Sequence, residues 1–313
     1  MRVLVAGAGA TGGYFGGRLA EAGRDVTFLV RPGRAERLRE RGLRLRGPDG
    51  ETVLTPRLVT AGSMDGPYDL ILLAVKSHAL DTVLADLGPA VGDRTVIVPL
   101  LNGMRHVNAL VTAFGADRVW GGVCMIHATL DDDGDVVRMT GLHRLAYGPL
   151  GGGPGEGGLG EGGPDDRLDA VTRTLTGAGF DSRPSTRIVH EMWEKWVLLA
   201  SLGAATTLMR ASIGEINAAA GGPAFTRALA AEAVAVATAA GYPPRPAMLD
   251  VITSTMSSGE PTTSSMYRDM TQGLPVEHDA IVGDLVAEAA RHGVAVPLLS
   301  AAHTSLSIYA AAR

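Results

Sequence analysis

A single cysteine, Cys124, stands in 313 residues, which excludes an intrachain disulfide and any multi-cysteine metal site. It reads as a small buried strand residue. No stretch approaches the roughly 20 consecutive apolar residues that a bilayer span requires. Positive charge is not in excess: 28 Lys and Arg face 33 Asp and Glu, for a net charge of −5. With a pI near 5.9, that argues against nucleic acid or an anionic membrane as the main partner. The histidines (His78, His106, His127, His143, His190, His278, His292 and His303) are scattered. None forms an H-x-x-x-H pair, so no metal is expected; His106, in a loop, is expected to be solvated. The first strand starts at once, which reads as no signal peptide and a cytoplasmic location. What is present is a well-supplied core, 46% hydrophobic with mean hydropathy +0.15, in a length that suggests about two domains.

Residues 3–6 form a short apolar strand that runs into Gly7-Ala8-Gly9-Ala10-Thr11-Gly12. A helical stretch with Tyr14, Phe15, Leu19 and Ala22 follows, stops at Gly23, and leads to a second strand at 26–30. Between a strand and a helix, each glycine of this G-x-G-x-x-G has a mechanical task. Gly7 allows the tight turn, Gly9 lets backbone approach a pyrophosphate, and Gly12 lets helix pack on strand. Helix N–H groups and the helix dipole then face the phosphates. An NAD-specific fold places Asp or Glu at the end of the second strand, to accept from the ribose hydroxyls. Here that end reads Val30-Arg31-Pro32-Gly33-Arg34, with no acid until Glu36. A guanidinium grips a 2′-phosphate bidentately where a carboxylate would repel it. NADP(H) is therefore expected, through Arg31 with Arg34 in support; the alternative is that both merely solvate a loop.

Residues 43–46 and 52–55 flank Gly47-Pro48-Asp49-Gly50 as a hairpin. Continuous apolar runs at 69–75 and 95–98, and a weaker one at 118–123, read as strands of a sheet buried on both faces. Helical patterns separate them, which gives a doubly wound, Rossmann-like α/β domain. Residues 151–166 are low-complexity Gly/Glu sequence, expected to be a mobile loop. A helix at 168–175 and a strand at 179–183 complete this domain. From residue 187 strand signals vanish and Ala-, Leu- and Met-rich helical patterns continue, as at 225–240 and 281–292. The expected domains are therefore 1–184 and an all-helical 185–313.

Lys195 is the unusual residue of the second half. At about 3.6 residues per turn, Ile188, Met192, Leu199 and Leu202 share its helix face, while Glu191 and Glu194 lie to one side or away. A lysine on an apolar stripe either snorkels to water or serves a purpose that offsets its desolvation. Burial would lower its pKa and make it a better proton donor near neutrality.

The GAGATG start, Lys76 closing an apolar strand, Leu101-Asn102-Gly103-Met104, Trp193-Glu194-Lys195-Trp196, and Ser264-Ser265-Met266-Tyr267-Arg268-Asp269 followed by Glu277 occur in that order. Together they resemble the ketopantoate reductase (2-dehydropantoate 2-reductase) family over essentially the full chain. The resemblance implies an NADPH-dependent oxidoreductase of pantothenate biosynthesis, which reduces a small 2-oxo acid to its 2-hydroxy acid. It implies Lys195 as general acid, Glu277 hydrogen-bonding a substrate hydroxyl, Ser265 on the carboxylate, Asn102 touching cofactor and substrate, and Lys76 near the cofactor. A homodimer is compatible with it. Alternatives remain for these residues. Asn102-Gly103 could be only a turn, Ser265 a helix cap, and Glu277 an exposed first-turn acid. A non-catalytic NADP-binding sensor on the same fold is the other class of reading, and Lys195 and Glu277 argue against it.

One departure bears on the substrate. The family's pattern has Asn one helical turn after the lysine and another a turn later, where this chain has Leu199 and Gly203. Leucine cannot replace an amide hydrogen bond, and an unpaired substrate hydroxyl against it would cost about 1–3 kcal/mol. With Leu199 as a pocket residue, ketopantoate competes with another branched or apolar 2-oxo acid.

Overall fold

The computed structural model describes residues 1–151 and 166–313, so the expectation for the Gly/Glu-rich segment lies outside the described residues. The chain separates into two compact units. One comprises Met1–Leu101 and the segments from His106 to Ile188; the other comprises Asn102–Arg105 and Val189–Arg313.

In the first unit, β1 (Arg2–Ala6), α1 (Ala10–Glu21) and β2 (Asp25–Leu29) form the expected βαβ start. After α2 (Pro32–Arg41) come β3 (Leu43–Gly47) and β4 (Gly50–Leu54), antiparallel as the hairpin pattern implies, then β5 (Arg57–Val59) and β6 (Tyr68–Leu73). The helix α3 (Leu80–Leu87) leads to β7 (Val91–Pro99). Strands β5-β2-β1-β6-β7 make one parallel sheet in that order. The order reverses between β1 and β6, and the crevice beyond the carboxyl ends of strands at such a reversal is where α/β sheets bind ligands. Apolar side chains cover both faces. Val3, Val5 and Phe28 pack with Phe15 and Leu19 of α1; Leu4, Ile71 and Ile97 pack with Leu80 and Leu87 of α3 and with Leu110 of α4 (Arg105–Phe114).

Residues 118–123 do not extend that parallel sheet. Val119 makes an isolated parallel bridge to Ile97, and the chain then enters β8 (Trp120–Leu130), which pairs antiparallel with the long β9 (Val136–Pro149). After α5 (Asp166–Leu175), β10 (Asp181–Pro184) joins β9, and β9 also pairs with β3, so β3, β4, β8, β9 and β10 form a second sheet. Charged and polar residues interrupt β9, and this is why its periodicity is faint. Arg138 is buried there against Asp49, and Tyr14 of α1 bonds the His143 ring at 2.5 Å. Cys124 is buried in β8 as expected.

Among the described residues, the elements after residue 187 are helical: α6 (Ile188–Met209), α7 (Ile213–Ala218), α8 (Gly222–Ala239), α9 (Pro246–Met256), α10 (Ser265–Thr271), α11 (Asp284–Arg291) and α12 (Pro297–Ala311). Their ends are satisfied in recognisable ways. Ser212 and Glu215 form a capping box on α7. Glu232 of α8 accepts from the N–H groups of Leu298 and Leu299, where α12 leaves donors without intrahelical partners. The helix expected over 281–292 is in part different, because Asp279–Gly283 is a single π-helical turn leading into α11. No described helix is long and apolar enough to cross a membrane.

Candidate active site

The glycine turn has the steric character its motif predicts. Gly7 has φ +100°, and a Cβ on it would stand 2.8 Å from the Ala74 carbonyl oxygen; a Cβ on Gly12 would overlap the Gly7 carbonyl. Gly9 differs: apart from its own chain neighbours nothing lies within 4 Å of where its Cβ would be, so backbone is open to a ligand there. Ala8 is buried behind the turn, and Ala10 and Thr11 begin α1, whose first turn holds no acidic residue. Its leading N–H groups therefore face outward without a competing carboxylate, as an anionic phosphate requires.

The two arginines differ from their expected ranking. Arg31 is exposed, and its backbone carbonyl accepts from the Arg34 and Ala35 N–H groups at the start of α2. Arg34 reaches the glycine turn itself: its Nε donates to the Ala8 carbonyl at 3.1 Å, and its Nη2 is buried with no hydrogen-bond partner. Burial, with the neighbouring Arg37 charge, pushes its pKa below the usual arginine value. A desolvated guanidinium on the turn with a donor to spare fits a phosphate group. Lys76, exposed, follows β6 at the reversal point of the sheet.

In the second unit, Lys195 lies on α6 and is only 8% exposed. Burial extends beyond the Lys195 face, because α6 is buried nearly all round and Glu194 is 0% exposed. Arg245 compensates it. The Arg245 backbone N–H and Nε donate to Glu194 Oε1 at 2.8 Å, and Nη2 donates to Oε2 at 2.5 Å. Burial pushes the Glu194 carboxyl up, and these bonds outweigh it, holding the pKa below the ordinary glutamate value. Tyr242 stacks on Trp193 at 5.4 Å, so the segment before α9 fixes α6 beside Lys195.

The π-helical turn gathers the other candidates. Trp196, next to Lys195, donates its indole N–H to the Ile281 carbonyl at 2.8 Å. Gly103, with φ +77°, brings the Asn102 loop so close that a Cβ would overlap the Ala280 carbonyl. Glu277, half-buried, lies two residues before the turn, and its carbonyl accepts from the Ile281 N–H at 3.1 Å. A π turn leaves carbonyls without their usual helical partners and recurs at functional sites; here it is the shared anchor of the Lys195 helix, the Asn102 loop and the Glu277 segment. Ser265 is not the cap of α10. Ser264 is, accepting from the Tyr267 N–H at 3.0 Å and bonding Thr206 of α6 at 2.9 Å, which leaves Ser265 exposed at the first helical position.

Lys195, Leu199 and Gly203 recur every fourth residue along α6. Leu199 is half-buried, and the Met266 methyl occupies the place a side chain at 203 would take. The position of the absent amide is thus filled by a thioether side chain. The structure places Asn102, Lys195, Leu199, Ser265 and Glu277 in one unit, and the glycine turn, Arg31 and Lys76 in the other.

Sequence reasoning missed several participants. Arg245 and Glu194 lie far apart in the chain, and only the burial of Glu194 reveals the pair. His106 is buried on α4 rather than solvated. His278 and His303, far apart in sequence, meet around Asp279, although the histidines showed no metal spacing.

Comparison with known proteins gives these elements a family. Residues 3–152 match the model of ketopantoate reductase PanE/ApbA, and residues 187–310 match its C-terminal counterpart. An uncharacterized oxidoreductase of Bacillus subtilis, YkpB, is 35% identical over 312 residues, covering 99% of each chain. The crystal structure of 2-dehydropantoate 2-reductase from Geobacter metallireducens superposes with a TM-score of 0.85 at 28% identity, covering 98% of this chain and 99% of that one. D-mandelate dehydrogenase bound to NADH and anilino(oxo)acetate shares the fold, with a TM-score of 0.87 over all of this chain and 99% of its own at 20% identity. The chain belongs to the ketopantoate reductase family of oxidoreductases.

Proposed function

We propose that the protein reduces a 2-oxo acid to the corresponding 2-hydroxy acid with NADPH, with Lys195 as the general acid. The observation that carries this reading is a buried lysine anchored, through its neighbour Trp196, to the turn that also positions the Asn102 loop and the Glu277 segment. The glycine turn, Arg31, Arg34 and Lys76 hold the cofactor, which when bound supplies the hydride. Hydride delivery to a ketone carbon builds negative charge on its oxygen. The Lys195 ammonium stabilises that charge and gives the oxygen a proton. Ser265, exposed at the start of α10, binds the substrate carboxylate; Glu277 accepts from a substrate hydroxyl; Asn102 touches cofactor and substrate.

Ketopantoate is the substrate that membership of the family suggests. Leu199, and Met266 in place of a side chain at 203, favour a second reading in which the preferred acid has a branched tail without a hydroxyl, such as 2-oxoisovalerate. An apolar pocket does little to reject an apolar tail, whereas a site built around a hydroxyl rejects its absence strongly. NADPH oxidation with a panel of 2-oxo acids tests both readings, and failure of every acid would remove the reductase assignment. A homodimer, which the family resemblance allows, and the cytoplasmic location expected from sequence belong to the same proposal.

A further inference from the structure

Beside the turn that anchors the candidate catalytic residues, three side chains with metal-ligand chemistry converge. His278 and Asp279 open the π-helical turn, and His303 projects from α12. His303 Nε2 lies 2.9 Å from Asp279 Oδ1, and His278 Nε2 lies 3.5 Å from the same oxygen. One donor atom from each of the three residues falls within 4.8 Å of the others. Zinc–nitrogen and zinc–oxygen bonds of about 2.0–2.2 Å place tetrahedral donors about 3.3–3.5 Å apart. The two spacings to Asp279 Oδ1 straddle that value, and the set as a whole stays within 4.8 Å.

The tautomer of His278 adds an independent argument. Its Nδ1 lies 3.3 Å from the Val276 carbonyl, which can only accept, so Nδ1 carries the proton. Nε2 is then the ring nitrogen that faces the Asp279 carboxylate. A backbone carbonyl fixing the far ring nitrogen is the usual arrangement behind a metal-bound histidine. Asp279 Oδ1 faces both imidazoles and would supply the charged ligand. Space is also kept for the cluster. A Cβ on Gly283, the last residue of the π turn, would stand 2.6 Å from His303 Nε2 and 3.2 Å from Asp279 Oδ1.

We propose that His278, Asp279 and His303 form a binding site for one divalent transition-metal ion of the zinc or cobalt type, completed by water. Two imidazoles and one carboxylate suit such ions better than magnesium or calcium, which take oxygen ligands. Exposure of Asp279 makes the site open to solvent and the binding reversible.

The test uses the full chain without a histidine tag, dialysed against chelator and titrated with Co(II) by visible absorption and with Zn(II) by calorimetry. One equivalent should bind with the intense d–d bands of a four- or five-coordinate Co(II) site, and the melting temperature should rise with Zn(II) concentration. His278→Ala and His303→Ala should each weaken binding more than tenfold, while the metal-free proteins melt close to wild type. Gly283→Ala keeps all three ligands and should still weaken binding. Wild type binding no more metal than the His278→Ala/His303→Ala double variant would overturn the proposal, as would saturation in the double variant at the same concentration.

Discussion

Of the 28 basic residues, only two are lysines, Lys76 and Lys195, and both fall at positions that the proposed function uses. Arginine serves elsewhere in the chain, but its guanidinium does not give up a proton near neutrality, so it cannot act as a general acid. A proton donor at position 195 therefore has to be a lysine, whereas a merely snorkelling cation could be either. We expect Lys195→Ala to fold and bind NADPH but to lose turnover by about 10²–10⁴-fold. Lys195→Arg should fail to restore it although the charge is kept. Single-turnover kinetics with a separate cofactor-binding titration checks both, and near-normal turnover in either variant would make Lys195 a structural residue. The cofactor arginines give a second expectation at this scale. Losing a charge-assisted hydrogen bond of about 1.5–3 kcal/mol to a 2′-phosphate should raise the KM for NADPH at least tenfold in Arg31→Ala or Arg34→Ala. The KM for NADH should change less. Equal use of both cofactors by the wild type would defeat this argument.

At the scale of elements, α6 depends on a buried charge. Arg245→Ala leaves the Glu194 carboxylate without its partner and should lower stability by about 1–3 kcal/mol at neutral pH, the lower end because the Arg245 side chain is 42% exposed. The pH dependence follows from the direction of the shift. With its folded pKa below the unfolded value of about 4.3, Glu194 contributes its stability fully above that value and loses it as pH falls through the folded pKa. In Arg245→Ala, burial is left opposed only by the backbone N–H at that position and the smaller His190 contribution and raises the pKa, so stability is lost as pH rises instead. Denaturant melts from mild acid to neutrality should therefore show the wild type and variant converging toward acid; a constant difference would mean the pair has no such role. The first βαβ unit, the hairpin and the helical second half were legible because glycine spacing, strand runs and helical periodicity are local signals. The second sheet was not. Buried Arg138 and the Tyr14-bonded His143 disguise β9, and the pairing of β9 with β3 is long-range. The π turn was equally hidden, since nothing in residues 279–283 distinguishes i→i+5 bonds from i→i+4. Lys195, Asn102 and Glu277 could be nominated from sequence, but their common anchor, through Ile281 for Trp196 and Glu277 and Ala280 for the Asn102 loop, is a property of packing.

For the molecule as a whole, the shared fold does not decide the substrate, as a fold seen both in a 2-dehydropantoate 2-reductase and in D-mandelate dehydrogenase makes plain. In the function proposed above, the decision rests with the side chains along α6. Leu199→Asn should move preference toward ketopantoate by roughly the 1–3 kcal/mol of one buried hydrogen bond, read as the change in the ratio of kcat/KM values. An unchanged ratio would remove Leu199 from the pocket. The central claim is tested most directly by kcat/KM of the wild type with NADPH for ketopantoate and for 2-oxoisovalerate in the same assay. The account predicts turnover of both, with 2-oxoisovalerate at least equal to ketopantoate. No turnover of either acid would contradict the assignment of a 2-oxo acid reductase.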